Sequence, residues 1–181
     1  MIEKIEKLRD LNVRTLQWLQ PNGWIDSYEL HDGDKIIATL KIPRWWNDRG
    51  TVEADKEKWI MQRKGVFSMD VSIHDGYANS HLGVIRKFIF RDDELEIFGQ
   101  GKYRIRWIGI LMQKWGIFDH INRKVAVFSR NERGIRELFK HQAAVDIMPD
   151  FQELPTITLM VCASWYFYIL ESKAAAIAAA S

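Results

Sequence analysis

The sequence predicts a mainly β domain, an antiparallel sheet closed into a barrel around one very apolar helix towards the C-terminal end. Three observations lead there. From about Val13 to Arg130 the chain alternates polar and apolar residues, or runs apolar, in short segments cut by turn residues. Leu154 to Leu170 carries no charge and is bracketed by Glu153 and Glu171. A curled sheet followed by a helix apolar on every side poses a packing problem, and threading the helix through the closed sheet solves it.

The elements follow in order. Ile2, Ile5 and Leu8 stand at helical spacing and suggest a short amphipathic lead-in. Trp24 to His31 and Lys35 to Ile42 flank Asp32-Gly33, a hairpin signal because glycine supplies the positive φ of a primed turn. Lys58 to Arg63 and Val66 to Ile73 flank Lys64-Gly65, and Asp75-Gly76 follows. Leu82 to Phe90, Leu95 to Phe98, Tyr103 to Gly109, Trp115 to His120 and Lys124 to Ser129 continue the series. Glu132 to His141 reads as a helical turn or a loop, and Val145 to Met148 as a last short strand closed by Pro149-Asp150. Segments spaced by roughly 8–12 residues suit a sandwich or barrel better than alternating strands and helices. No Gly/Ser-rich or Pro-rich linker divides the chain. It therefore reads as a single domain over 1–181, with strands over 13–151, the apolar helix over 153–172 and an alanine-rich tail over 174–181.

Composition narrows the function classes. An apolar fraction of 47%, with 26 Lys plus Arg against 24 Asp plus Glu, excludes a disordered or acidic-tail protein. A net charge of +2 is too small to argue for nucleic acid, and no nucleic-acid partner is expected. One cysteine, Cys162, leaves no internal disulfide framework and no thiolate zinc cage, which fits a reducing compartment. Met1 to Asp10 mixes charges of both signs, lacks a secretory apolar stretch, and has no glycine after Met1 for myristoylation. The expected location is the cytoplasm, with peripheral attachment to a membrane as the accompanying option.

The apolar run admits two readings. A spanning helix needs about 20 apolar residues, so Leu154 to Leu170 sits at the floor of the range. It contains Pro155, Thr156, Thr158 and Ser164, and Lys173 is the lone flanking cation nearby. Those features favour a helix buried in the domain, with a transmembrane span as the alternative. Alanine's helix propensity suggests that Ala174 to Ser181 prolongs the helix or frays.

Tyr28-Glu-Leu-His-Asp-Gly-Asp-Lys-Ile-Ile37 forms an early hairpin, and Val125-Ala-Val-Phe-Ser-Arg130 a late strand. Val145-Asp-Ile-Met-Pro-Asp-Phe151 leads into Leu154 and on to Trp165-Tyr-Phe-Tyr-Ile-Leu170. In these segments and their order, from about Val13 to Glu171, the chain resembles the tubby C-terminal-like superfamily, which includes the phospholipid scramblase and LURP-one-related families. The resemblance implies a closed antiparallel barrel of about twelve strands around a hydrophobic C-terminal helix. It also implies a class of contact, since tubby-type domains bind phosphoinositides through lysine and arginine on the barrel wall. Scramblases carry a calcium-responsive acidic segment before the helix, for which Asp146, Asp150 and Glu153 stand here. The alternating oxygen ligands, glycine and terminal glutamate of an EF-hand loop are missing, so no metal is expected.

Candidate chemistry is sparse. The five histidines form no i, i+4 pair; His74-Asp75 and His81 could converge across a turn, but they read better as a solvated loop. Cys162 lies in the apolar run, where a thiol is inert, and no Gly-x-Ser-x-Gly occurs. Phe98-Gly-Gln-Gly-Lys102 lacks phosphate-loop spacing and reads as a hairpin turn, and Asp92, Asp93 and Glu94 fall in another turn. No enzyme and no cofactor are expected. Trp45-Trp46 reads as a plug at one barrel end or as an aromatic anchor, and the other tryptophans as core or strand-face residues. The more informative pattern is basic. Lys102, Arg104 and Arg106 alternate with Tyr103, Ile105 and Trp107, so a strand there puts three cations about 6–7 Å apart on the outer face. Arg86, Lys87 and Arg91 add to the patch. Such a row binds phosphate-bearing surfaces, unless Glu94 and Glu96 neutralise it across the preceding turn. The expected function is a non-enzymatic barrel binding anionic phospholipid or a protein partner; the alternative is a membrane-anchored, scramblase-like lipid transporter.

Overall fold

A computed structural model describes residues 13–21, 26–43, 49–65, 68–109, 113–130 and 142–180. Among them, twelve strands form a closed barrel in simple chain order, each antiparallel to its neighbours. They are β1 (Arg14–Leu19), β2 (Ser27–Asp32), β3 (Lys35–Lys41), β4 (Arg49–Ala54), β5 (Glu57–Arg63), β6 (Val71–Asp75), β7 (His81–Arg86), β8 (Asp93–Ile97), β9 (Gly101–Ile108), β10 (Lys114–Phe118), β11 (Lys124–Arg130) and β12 (Ala143–Ile147). Closure is made by β1 on β12, with Arg14 opposite Ile147 and Trp18 opposite Ala143. A 3₁₀ turn, Pro149–Phe151, leads to the helix α1, Ile157–Ala180. This is the architecture the sequence predicts.

Side-chain alternation explains the closure. Leu16 and Trp18 of β1, Tyr28 and Leu30 of β2, Val52 of β4, Met61 of β5, Leu95 of β8 and Phe128 of β11 are all buried. Residues between them face outward, so each strand has one apolar face for a core. A ring of about eight strands is filled by its own side chains, whereas twelve leave room for something wider. The occupant is α1. Ile157 and every residue from Leu159 to Leu170 are at most 5% exposed, so the helix is buried on all sides. Its Trp165 stacks on Trp18 of β1 at 5.5 Å and meets Tyr28 of β2 edge-on at 6.1 Å. Tyr168 stacks on Trp115 of β10 at 4.4 Å. On β4, a Cβ added to Gly50 would lie 2.8 Å from the Tyr166 ring, so glycine there lets the helix approach the wall. Among the described residues no helix is long and apolar enough to cross a membrane.

Several boundaries depart from the sequence reading, each for a local reason. The helix starts at Ile157 rather than Leu154 because Pro155 disfavours helical φ/ψ at the residue before it. It runs on through the alanines to Ala180, with Ala174 to Ala179 exposed. β7 stops at Arg86, short of Phe90, because carboxylates take the next backbone donors: Lys87 N–H to Asp70 at 2.9 Å and Phe88 N–H to Asp93 at 2.9 Å. β1 and β4 lie outside the segments that the turn residues mark in the sequence, and β6 starts at Val71 rather than Val66. The lead-in Met1 to Asp10, Trp24, Trp45-Trp46 and Glu132 to His141 lie outside the described residues.

Candidate anion-binding face

The outer wall of β7, β8 and β9 gathers most of the predicted basic residues. Antiparallel register sets Arg86 opposite Glu94, Glu94 opposite Arg104, and Glu96 opposite Lys102. Tyr103 and Ile105 turn into the core, so Lys102, Arg104 and Arg106 point outward, as the alternation predicts. Their partners differ. Arg86 donates from Nη1 to Glu94 Oε1 and to Glu96 Oε2, both at 2.7 Å. That hydrogen bond holds the Glu96 carboxyl below its ordinary pKa. Lys102 Nζ reaches Glu94 Oε1 at 3.3 Å. Arg106 lies over the Phe118 ring at 3.9 Å and stands 3.9 Å from Asp92. Arg104 makes no ion pair among the described residues, and lines a groove with Phe88, Arg91, Asp92 and Glu94. The acidic neutralisation that the sequence allows is thus present at Arg86, Lys102 and, more loosely, Arg106, and among the described residues it does not reach Arg104.

Lys87 is placed elsewhere. Its ammonium turns inward at the rim where α1 leaves the barrel, bonding to Asp93 at 3.2 Å and to Glu171 of the helix. Burial alone would lower this lysine, but the Glu171 and Asp93 carboxylates hold it above its ordinary range. A second tie, Lys173 Nζ to Asp26 at 2.6 Å, fixes the helix at the same rim. Lys87 therefore secures the interior helix rather than joining the outer row.

The connection after β7 adds residues from the end of the segment Leu82 to Phe90, which the sequence predicts as strand. Ile89 is 87% exposed and Phe90 98% exposed, while Phe88 is half-buried with the Arg91 guanidinium 3.7 Å over its ring. The available signal was three successive apolar residues without alternation, directly ahead of Arg91-Asp92-Asp93.

Other candidates resolve into structure. His74 and His81 are cross-strand neighbours whose rings stack at 4.6 Å. Phe98 to Gln100 form the β8–β9 turn, with Gly99 at φ 78°. Of the acidic segment, Asp146 accepts from Thr15 Oγ1 at 2.8 Å and Asp150 lies 3.9 Å from Arg123. No cluster of three or more His, Cys, Asp or Glu suited to a metal ion occurs among the described residues. Burial pushes the Cys162 thiol far above its ordinary pKa.

With that geometry in place, comparison with known proteins adds one finding. No family model matches the chain, and no curated protein matches it. Among solved structures, the X-ray structure of a protein from Arabidopsis thaliana superposes with a TM-score of 0.53 at 11% identity. The match covers 83% of this chain and 90% of that one. The likeness is one of fold. It extends over most of both chains, so the barrel is shared as a whole and not as a fragment.

Proposed function

We propose that this chain is a non-enzymatic barrel of the tubby C-terminal-like type, and that the outer wall of β7–β9 binds the phosphates of anionic phospholipids. The observation that carries the reading is Arg104, an outward cation with no ion pair among the described residues, set between Lys102 and Arg106 and beside Arg91 in one groove. A guanidinium presents a planar fork of donors that suits phosphate oxygens. Lys102 and Arg106 contribute less, because carboxylates already partly neutralise them. Such a protein would work inside the cell, held at a membrane surface from the cytoplasmic side.

Sedimentation with phosphatidylcholine vesicles, with and without phosphatidylserine, tests this at low and at physiological salt. Each cation near an anionic surface is worth about 1 kcal/mol. Arg104→Gln should weaken binding roughly fivefold, and the Lys102/Arg104/Arg106→Gln triple variant by more than that but by less than about two decades, both effects shrinking as salt rises. A folded triple variant that binds as tightly as the wild type overturns the proposal.

A further inference from the structure

We infer that Ile89 and Phe90 form an insertion tip, which enters the interfacial layer of an anionic bilayer when the protein docks on the rim where α1 leaves the barrel. The inference rests on the lipid reading above and supplies its depth and orientation.

The loop has a fixed base. Lys87 and Phe88 give their backbone N–H groups to Asp70 and Asp93, and the Lys87 ammonium grips Asp93 and Glu171. Phe88 is half-buried beneath Arg91. The next two side chains project beside the exposed Arg91, and both are large, apolar and almost wholly in water. A pair of adjacent exposed apolar residues on an anchored base resembles a docking element more than a loose loop, because core-forming side chains are ordinarily covered when a loop packs.

Two further observations select a bilayer over a protein groove. Two cations flank the tip: Arg91 follows it directly, and Arg104 shares the groove that Phe88 and Arg91 line together with Asp92 and Glu94. Neither has an ion pair among the described residues, so both are available to lipid phosphates while the apolar tip sits below them. That combination of basic and apolar residues is the usual makeup of an interfacial anchor. The same rim also carries a second apolar projection. Beyond Lys173 the helix continues through Ala174 to Ala180 without a polar residue, and Ile177 is 66% exposed. Ile177 lies six residues past Glu171, about 9 Å further along the helix axis. A protein groove would have to match both projections in shape, whereas a fluid bilayer accommodates them without complementarity.

The full chain with Phe90→Cys, labelled with an environment-sensitive fluorophore, tests the inference, because the native Cys162 is buried and unreactive. A Tyr77→Cys label provides the contrast, since Tyr77 is 74% exposed in the β6–β7 turn at the opposite rim. With vesicles of phosphatidylcholine and about 30% phosphatidylserine, the label at 90 should shift to the blue and be quenched by shallow spin-labelled lipid. The label at 77 should stay in water. Replacing Ile89 and Phe90 together by serine should reduce vesicle affinity on the order of 100-fold and leave the melting temperature unchanged. Sedimentation of labelled protein with the 90 position still in water overturns the inference and leaves the lipid reading standing. Equal shifts at 77 and 90 overturn it too. A wild-type chain that does not bind the vesicles overturns both.

Discussion

The carboxylate of Asp119, buried at the turn after β10, accepts the backbone N–H groups of Ile121 and Arg123 at 3.1 and 2.8 Å, and the Arg123 Nε–H at 2.8 Å. Burial opposes its ionisation, but these donors prevail and hold the carboxyl below its ordinary value of 3.8. A carboxyl depressed by folding stabilises the protein above its unfolded pKa, and that stability is lost as pH falls through the folded value. Asp119→Asn should therefore cost about 1–3 kcal/mol at neutral pH, with the gap to wild type smaller at a pH well below 3.8 than at neutral pH. Thermal melts at the two pH values check this; an equal gap at both would assign the effect to shape and not to charge. The residue scale also bounds what a sequence discloses. Alternation with Tyr103, Ile105 and Trp107 is enough to turn Lys102, Arg104 and Arg106 outward. That Arg86 and Lys102 share Glu94 while Arg104 makes no ion pair among the described residues depends on register across three strands, which no local pattern carries. Exposure of Ile89 and Phe90 was hidden for a related reason: the carboxylates that end β7 come from Asp70 and Asp93, one of them 17 residues before the donor it takes.

Each element in this fold is held by the ones around it, and α1 shows this most clearly. Its middle is fixed by aromatic stacking and its far end by two ion pairs, Lys87 with Glu171 and Lys173 with Asp26. Asp93 completes the first pair, and its side chain is only 9% exposed. Removing the lysine leaves two carboxylates facing each other with little water, which is costlier than never having had the charges. Lys87→Met should lower stability by about 2–3 kcal/mol, less than a fully buried pair because Lys87 is about a third exposed. Glu171→Gln added to Lys87→Met should recover part of that loss. Chemical denaturation of both singles and the double variant measures the coupling, and strict additivity would show that the pair contributes nothing as a pair. Helix and strands were legible to different degrees. The apolarity of Leu154 to Leu170 announces a buried helix, which holds from Leu159 to Leu170, and the hairpin at Asp32-Gly33 is fixed by its turn. β1 and β4 were less visible: Arg-Thr-Leu-Gln-Trp-Leu and Arg-Gly-Thr-Val-Glu-Ala alternate, but only two or three positions in each face the core.

For the molecule as a whole, barrel and helix make one core. Phe167 is 1% exposed, and strands on several sides of the ring touch the same helix. A carboxylate at position 167 would be buried near a lysine, Lys87, that Asp93 and Glu171 already share, at a cost of several kcal/mol against a total stability of about 5–15. Phe167→Asp should yield no cooperative melt and no native far-ultraviolet spectrum, while Phe167→Leu should fold with a lowered melting temperature. A soluble, cooperatively melting Phe167→Asp protein would mean that the helix is not the filling of the barrel. Closure at β1 and β12 has a consequence in time. Thr15 and Asp146, bonded across that seam, are 131 residues apart, and all twelve strands precede α1 in the chain. During synthesis the sheet therefore has nothing to close upon until Leu170 has left the ribosome. Up to that moment β1 and β12 are open edges, and the inner faces of the strands are uncovered apolar surface. The nascent domain is thus most prone to aggregate after its twelve strands have emerged and before its helix has, and the demand for a chaperone falls in that interval.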